Sequence, residues 1–274
     1  MSESPRQVTV TSLRKLKEQG ERFACLTAYD ASFAAVLDDA GIDMILVGDS
    51  LGMVIQGRST TLPVTLDEMV YHTRAVSRGT RRALVMADLP FMSYASVPQA
   101  LDSAARLMKE GGAQAVKLEA GGDAVAIVEQ LARHGIPVCG HLGLAPQSVH
   151  KLGGYRVQGR EHAAAEAMLA DARAMEQAGA DLLLLESVPA GLAERISRAV
   201  SVPVIGIGAG PACDAQILVL YDLLGISMGK RPRFSMDFLQ ALSGSEAISV
   251  RAAVAAFVQA VKDGSFPAAE HTFT

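Results

Sequence analysis

The sequence predicts an α/β protein built as a closed (β/α)8 barrel, and three observations predict it. Eight short apolar runs read as strands, and helix-like stretches lie between most of them. Five of those helical stretches stop at a glycine, the residue that supplies the left-handed cap of a helix end. Four of the apolar runs end in a carboxylate: MILVGDS at Asp49, ALVMADL at Asp88, AVKLEAG at Glu119 and DLLLLES at Glu186. Their spacings of 39, 31 and 67 residues match one, one and two strand–helix–strand units of about 30 residues or more. Parallel strands spaced this way collect their C-terminal ends on one rim, so the acids gather at one mouth of the sheet. A doubly wound open sheet is the alternative, but it needs a chain reversal at a switch point, and no signature of one is present.

Residues 1–20 read as an N-terminal extension with a short amphipathic helix, Ser12–Gln19. The strands follow at Phe23–Thr27, Met44–Gly48, Ala83–Ala87, Ala115–Leu118, Val138–Gly140, Leu182–Leu185, Val204–Ile207 and Ile217–Leu220. The glycine-terminated helices are Ala31–Ala40 before Gly41, Leu66–Ser77 before Gly79, Val97–Glu110 before Gly111, Asp123–His134 before Gly135 and Ala163–Ala178 before Gly179. Ile248–Lys262 is a further amphipathic helix beyond the barrel, suited to covering it or to packing on a neighbouring subunit. No linker or low-complexity tract divides the chain, so residues 1–274 are expected to form a single domain. Two long loops, Gly52–Pro63 after strand 2 and Gly143–Glu161 after strand 5, are lid candidates on the functional face.

Composition narrows the function. Half of the 274 residues are apolar, which suits a sheet covered on both faces. A net charge of −4, no Trp and five Tyr argue against nucleic acid as a partner. The N-terminus lacks the apolar core of a signal peptide, and no apolar run approaches the ~18 residues needed to span a bilayer. Three scattered cysteines, Cys25, Cys139 and Cys213, fit a reducing, cytoplasmic setting better than a disulfide framework.

Active sites of these barrels sit at the C-terminal ends of the strands. Asp49, Asp88 and Glu119 end consecutive strands and repel one another unless a cation lies among them. Oxygen-only ligands favour Mg²⁺ over zinc; pairing with Arg58 or Lys151 is the plainer reading. Lys117 lies two residues before Glu119 and so faces the same side. It suits a substrate anion, a Schiff base or a simple ion pair with Glu119. Glu186 follows four leucines, an apolar setting that raises a carboxyl pKa and suits a general base; a backbone amide or arginine holding it is the alternative. His141 closes strand 5 between the two sets, as a substrate contact or a structural histidine. Ser50, after Asp49, can meet an anion at the following turn. The glycines of GIGAG, 206–210, permit close approach of a ligand but do not complete a phosphate motif.

The chain closely resembles the ketopantoate hydroxymethyltransferase family. The resemblance is carried by LTAYDASFA (26–34), VGDSLGMVIQG (47–57), TLPVTLDEMVYHTRAV (61–76), ADLPFMSY (87–94), VKLEAG (116–121), GHLGLAPQSV (140–149), GGYRVQGR (153–160), LLLESVP (183–189), IGIGAG (205–210) and FPAAEHTF (266–273). It implies a (β/α)8 barrel, Mg²⁺ as the metal and 5,10-methylenetetrahydrofolate as co-substrate. The implied reaction transfers a hydroxymethyl group onto 3-methyl-2-oxobutanoate through a metal-stabilised enolate, giving 2-dehydropantoate for pantothenate synthesis. The resemblance puts metal ligation on Asp49, Asp88 and Glu119 and the proton acceptor at Glu186. It puts substrate contacts on Asp49, Ser50, Asp88 and Lys117, with His141 as a further pocket residue. It also implies a homodecamer. Two departures stand out: Gly57-Arg58 where the family often has Gly-His, and CDAQILVLYDLLGI (213–226) in place of the more usual TDGQILVMHDAFGI. The competing readings are another barrel acting on 2-oxo acid enolates, such as a carbon–carbon lyase needing no folate, and a catalytically silent ligand-binding barrel.

Overall fold

The computed structural model describes residues 6–119, 124–243 and 248–274. Eight parallel strands close on themselves in chain order: β1 Phe23–Thr27, β2 Met44–Val47, β3 Leu84–Asp88, β4 Ala115–Glu119, β5 Val138–Gly143, β6 Leu182–Glu186, β7 Val204–Ile207 and β8 Ala215–Leu218. β8 pairs with β1, with Ala215 opposite Phe23, and this closes the barrel. The last strand therefore begins two residues before its predicted start at Ile217. Gln216 breaks the apolar pattern that the sequence reading follows, yet it is buried and its amide donates to the Gly210 carbonyl at 3.0 Å. Leu220, predicted as strand, instead opens a helix, with its N–H donating to Thr27 Oγ1.

The helices in chain order are α1 Val10–Gln19, α2 Ala31–Asp39, α3 Leu51–Val54, α4 Leu66–Gly79, α5 Val97–Lys109, α6 Ala124–Arg133, α7 Val149–Leu152, α8 His162–Gln177, α9 Ala190–Ala199, α10 Leu220–Leu223, α11 Phe238–Ala241 and α12 Val250–Asp263. Side-chain caps start several of them. Asp30 accepts from the Ser32 and Phe33 N–H groups, and Thr65 and Glu68 form a reciprocal capping box. Asp123, the predicted first residue of α6, lies outside the described residues. Gly41, Gly135 and Gly179 take left-handed conformations, as the sequence predicts. Gly79 does not: it is the last residue of α4, and a Cβ there would collide with the Ala31 carbonyl of α2. At the end of α5 the left-handed residue is Gly112, one beyond the predicted Gly111. The sequence reading misses α9, which ends at an extended Val200 with no glycine stop. Residues 208–214, between β7 and β8, form no helix.

Strand alternation divides two cores. Outward residues such as Ile45, Val85, Val116 and Leu183 pack under the helices. Inward residues such as Phe23, Met44, Met86, Cys139, Leu184 and Ile205 fill the barrel. Cys25, Cys139 and Cys213 are all buried free thiols. α1 closes the N-terminal end: Leu13 is fully buried among the inward residues, a burial that stabilises by roughly 1.5–3 kcal/mol. Lys17 latches the helix through Asp214 at 2.9 Å and the Ser197 and Val202 carbonyls at 2.9 Å. α12 lies against β1 and α2, and its Phe257 stacks edge-on with Phe238 and Phe266. It covers the barrel, one of the two roles expected for it. With the N-terminal end plugged and filled, the C-terminal mouth is left for chemistry. Among the described residues no helix is long and apolar enough to cross a membrane.

Candidate active site

The alternation that fills the barrel with Met86, Ala115, Cys139 and Leu184 turns the next inward position of each strand toward the mouth. Those positions are Asp88, Lys117 with Glu119, His141, and Glu186. Register makes them neighbours: Asp88 lies opposite Lys117, Glu119 opposite His141, and Gly143 opposite Glu186. Asp88, Lys117, Glu119, His141 and Glu186 line a cavity of about 600 Å³, together with Asp49 and Ser50. The seven residues the sequence singles out are thus brought together.

Asp49 arrives differently. β2 stops at Val47, short of the predicted Gly48, so Asp49 sits in the turn before α3. Its N–H donates to Asp88 Oδ2 at 3.1 Å, which fixes the turn against β3. Gly48 makes room for this: a Cβ there would come within 2.7 Å of Ser50 Oγ. Ser50 Oγ lies 2.9 Å from the Tyr29 hydroxyl.

A polar chain crosses the mouth. Lys117 Nζ is 3.0 Å from Asp88 Oδ1 and 3.3 Å from His141 Nδ1. His141 Nε2 is 3.3 Å from Glu186 Oε2. Burial works against the charge on Lys117, but Asp88, Asp49 and Glu119 more than offset it and hold the ammonium protonated. Burial, then the adjacent Lys117, pushes His141 well below its ordinary value, so the imidazole is neutral. With Lys117 donating to Nδ1, the ring proton lies on Nε2, toward Glu186. The partner of Lys117 is therefore Asp88, not the Glu119 that the ion-pair reading would choose.

The acids are costly to charge. Burial, then the neighbouring Asp88, raises Asp49. Burial raises Glu119 to about 8, with Lys117 opposing and Asp49 adding to the shift. Burial beneath the leucines raises Glu186 to about 7, although its side chain keeps 17% exposure. Each retains a proton in the fold that the unfolded chain releases near ordinary carboxylate values. A raised folded pKa contributes stability at low pH that is lost as pH rises through the folded value. Above pH ~6.5 the unfolded histidines are neutral, so these acids dominate. The melting temperature should fall between about pH 6.5 and 8.5, and saturating Mg²⁺ should reduce that fall. A flat profile without Mg²⁺ would mean that the acids are already compensated.

Asp49, Asp88 and Glu119 offer only oxygen donors, the set a hard divalent cation prefers. Asp88 Oδ1 is held by the Lys117 ammonium at 3.0 Å, so a cation at Asp88 would share the carboxylate with Lys117. Among the described residues, however, no three such side chains converge into a ready-made metal site. Gln147 intervenes. Its amide donates to Asp49 Oδ2 at 2.8 Å and to the Leu89 carbonyl at 3.0 Å. Its main-chain N–H reaches both Glu119 oxygens at 3.1 Å.

Sequence reasoning does not assign Gln147, nor Tyr94, whose hydroxyl donates to Gln147 Oε1 at 2.6 Å. It also misses Ser187, which follows Glu186 with φ +50°, a conformation uncommon away from glycine and asparagine. Its signal is steric: β5 passes so close that a Cβ at Gly143 would collide with the Glu186 carbonyl. Arg58, expected as an ion-pair partner of the rim acids, pairs with Glu68 at 3.4 Å instead; it lines the outer cavity with Arg156, Lys230 and Arg233, which a search centred on strand ends misses. Gly208 of GIGAG serves packing, since a Cβ there would meet the Phe234 ring at 2.8 Å.

The family model for ketopantoate hydroxymethyltransferase matches residues 7–269. The 3-methyl-2-oxobutanoate hydroxymethyltransferase of Alkalilimnicola ehrlichii is 61% identical over 268 residues, covering 98% of this chain and 95% of that protein. That of Halorhodospira halophila is 61% identical over 266 residues, covering 97% and 94%. Among solved structures, 2,3-dimethylmalate lyase, a PEP mutase/isocitrate lyase superfamily member, matches with a TM-score of 0.59 at 21% identity. That match covers 81% of this chain and 84% of the other, and it speaks for the fold.

Proposed function

This chain belongs to the ketopantoate hydroxymethyltransferase family, and we propose that it transfers a hydroxymethyl group from 5,10-methylenetetrahydrofolate to 3-methyl-2-oxobutanoate, giving 2-dehydropantoate. The observation that carries this reading is Glu186. It faces the cavity with a pKa near neutrality, across the mouth from the Asp49, Asp88 and Glu119 cluster.

Mg²⁺ held by Asp49, Asp88 and Glu119 would supply Lewis-acid polarisation of the 2-oxo acid. The chain's own groups do the rest. Lys117, kept charged by Asp88, stabilises negative charge developing on the substrate oxygen. Ser50 offers a hydroxyl to the substrate carboxylate. Glu186 removes the C3 proton, with neutral His141 beside it, Nε2 3.3 Å from Glu186 Oε2. The C3 carbanion forms the new bond to the methylene carbon of the folate. The oxygen of water becomes the hydroxyl, both C–N bonds of the methylene bridge break, and the C3 proton and one proton of water end on the two nitrogens of the departing tetrahydrofolate. The aliphatic wall of Leu46, Leu184 and Ile207 excludes bulk water from the carbanion.

Product analysis with 2-oxo acid, methylenetetrahydrofolate and Mg²⁺, each omitted in turn, tests the reading. 2-Dehydropantoate should form only in the complete mixture. Product without folate, or cleavage of a 2-oxo acid, would favour a lyase.

The neighbouring acids that hold Lys117 protonated favour a point charge over a Schiff-base nucleophile, because a protonated amine has no lone pair to attack with. Borohydride added with 3-methyl-2-oxobutanoate should therefore leave the protein mass unchanged. A reduced adduct mapped to Lys117 would reverse the assignment.

A further inference from the structure

Gln147 is 6% exposed and makes four kinds of polar contact at once. Its Nε2 donates to Asp49 Oδ2 and the Leu89 carbonyl, its Oε1 accepts from Tyr94, and its main-chain N–H donates to Glu119. One neutral residue therefore bridges two of the three acids that the proposed function gives to the metal. Its N–H groups present partial positive charge to the carboxylates, as a cation would, and they occupy lone pairs a cation would need. Gln147 also sits in the short helical turn Pro146–Ser148 at the start of the long segment after β5. That segment continues past Tyr155, which reaches Met53 Sδ at 3.5 Å, and returns to β6 where the Gln158 N–H donates to the Ser187 carbonyl at 2.9 Å. The same segment lines the cavity through Tyr155, Arg156 and Val157.

We propose that Gln147 competes with the cation for Asp49 and Glu119, so that it sets how tightly the site holds metal and couples metal binding to the segment after β5. The inference rests on the reading that Asp49, Asp88 and Glu119 hold the cation. Gln147 is a positioning residue in this scheme, acting through the acids and not on the substrate.

Calorimetric titration of Mg²⁺ into the full chain, without substrates, tests it. In Gln147→Leu the side-chain competitor is gone while the main-chain N–H remains. A charge-assisted hydrogen bond is worth about 1.5–3 kcal/mol, so the Mg²⁺ dissociation constant should fall by roughly tenfold or more. A purely structural glutamine would give the opposite, a weaker site as the loop loosens. Hydrogen exchange of unmodified protein gives a second readout that needs no variant. The peptide containing the Gln147 amide should exchange faster in saturating Mg²⁺, because its grip on Glu119 is released. An unchanged or weakened Mg²⁺ affinity in Gln147→Leu, or slower exchange with Mg²⁺, would overturn the competition while leaving the metal reading intact. If the wild type binds no Mg²⁺, the metal reading fails and this inference fails with it.

Discussion

Asp88→Asn should abolish Mg²⁺-dependent turnover, by about 10³-fold or more, while the barrel still folds. Asp88 is joined to three things at once: the Asp49 N–H, the Lys117 ammonium and, in the proposed function, the cation. Asparagine keeps the size and can still accept from the Asp49 N–H, so the turn after β2 survives. It cannot neutralise Lys117, which is 5% exposed. Breaking a buried ion pair by removing one partner costs about 3–5 kcal/mol, and some of that should appear as a lower melting temperature. Loss of electrostatic stabilisation in the transition state adds roughly 10²–10³ to the rate effect. Two measurements separate folding from chemistry. Circular dichroism should match the wild type, and Mg²⁺ should no longer raise the melting temperature. Turnover near the wild-type level in this variant, or in excess chelator, would remove the Lewis-acid role from the mechanism.

The barrel and most of this site were legible because both rest on a period of two. Lys117 and Glu119 had to share a face, and an acid ending a buried strand had to face the filled interior or the mouth. Residues whose positions come from turns were harder. Asp49 reaches the site through a turn that Gly48 permits, so its identity was readable but the end of β2 was not. Gln147 belongs to a loop with no periodicity, and its importance lies in contacts to residues 28 and 98 positions away. The basic residues from Lys230 to Arg233 reach the cavity from a segment after β8. Distance along the chain hides such groups, whereas strand register brings rim residues together. The start of β8 was misjudged for a related reason. Gln216 is buried because the chain turns back to Gly210, a partner that apolar patterning cannot reveal.

Glu186 carries the second large expected effect, and it tests the feature most specific to the mechanism. Glu186→Gln keeps the side-chain shape but cannot accept the C3 proton. Turnover should fall by roughly 10²–10⁴-fold, the usual cost of losing a general base. Binding of Mg²⁺ and of the 2-oxo acid should stay close to normal, because the ammonium and the acid cluster lie on other strands. The wild type should exchange the C3 proton of 3-methyl-2-oxobutanoate with solvent deuterium, since proton removal precedes the encounter with folate carbon. That exchange should vanish with turnover in Glu186→Gln. The pH dependence follows from the same group. A base must be ionised to act, and burial raises Glu186 to about 7. The exchange rate should therefore climb with pH and level off above about 7, and the limb should be missing in the variant. Exchange at the wild-type rate in Glu186→Gln would hand the role to another group. His141 would then be first in line, and it would have to give up the Lys117 contact at Nδ1 to carry its proton there and present a lone pair on Nε2.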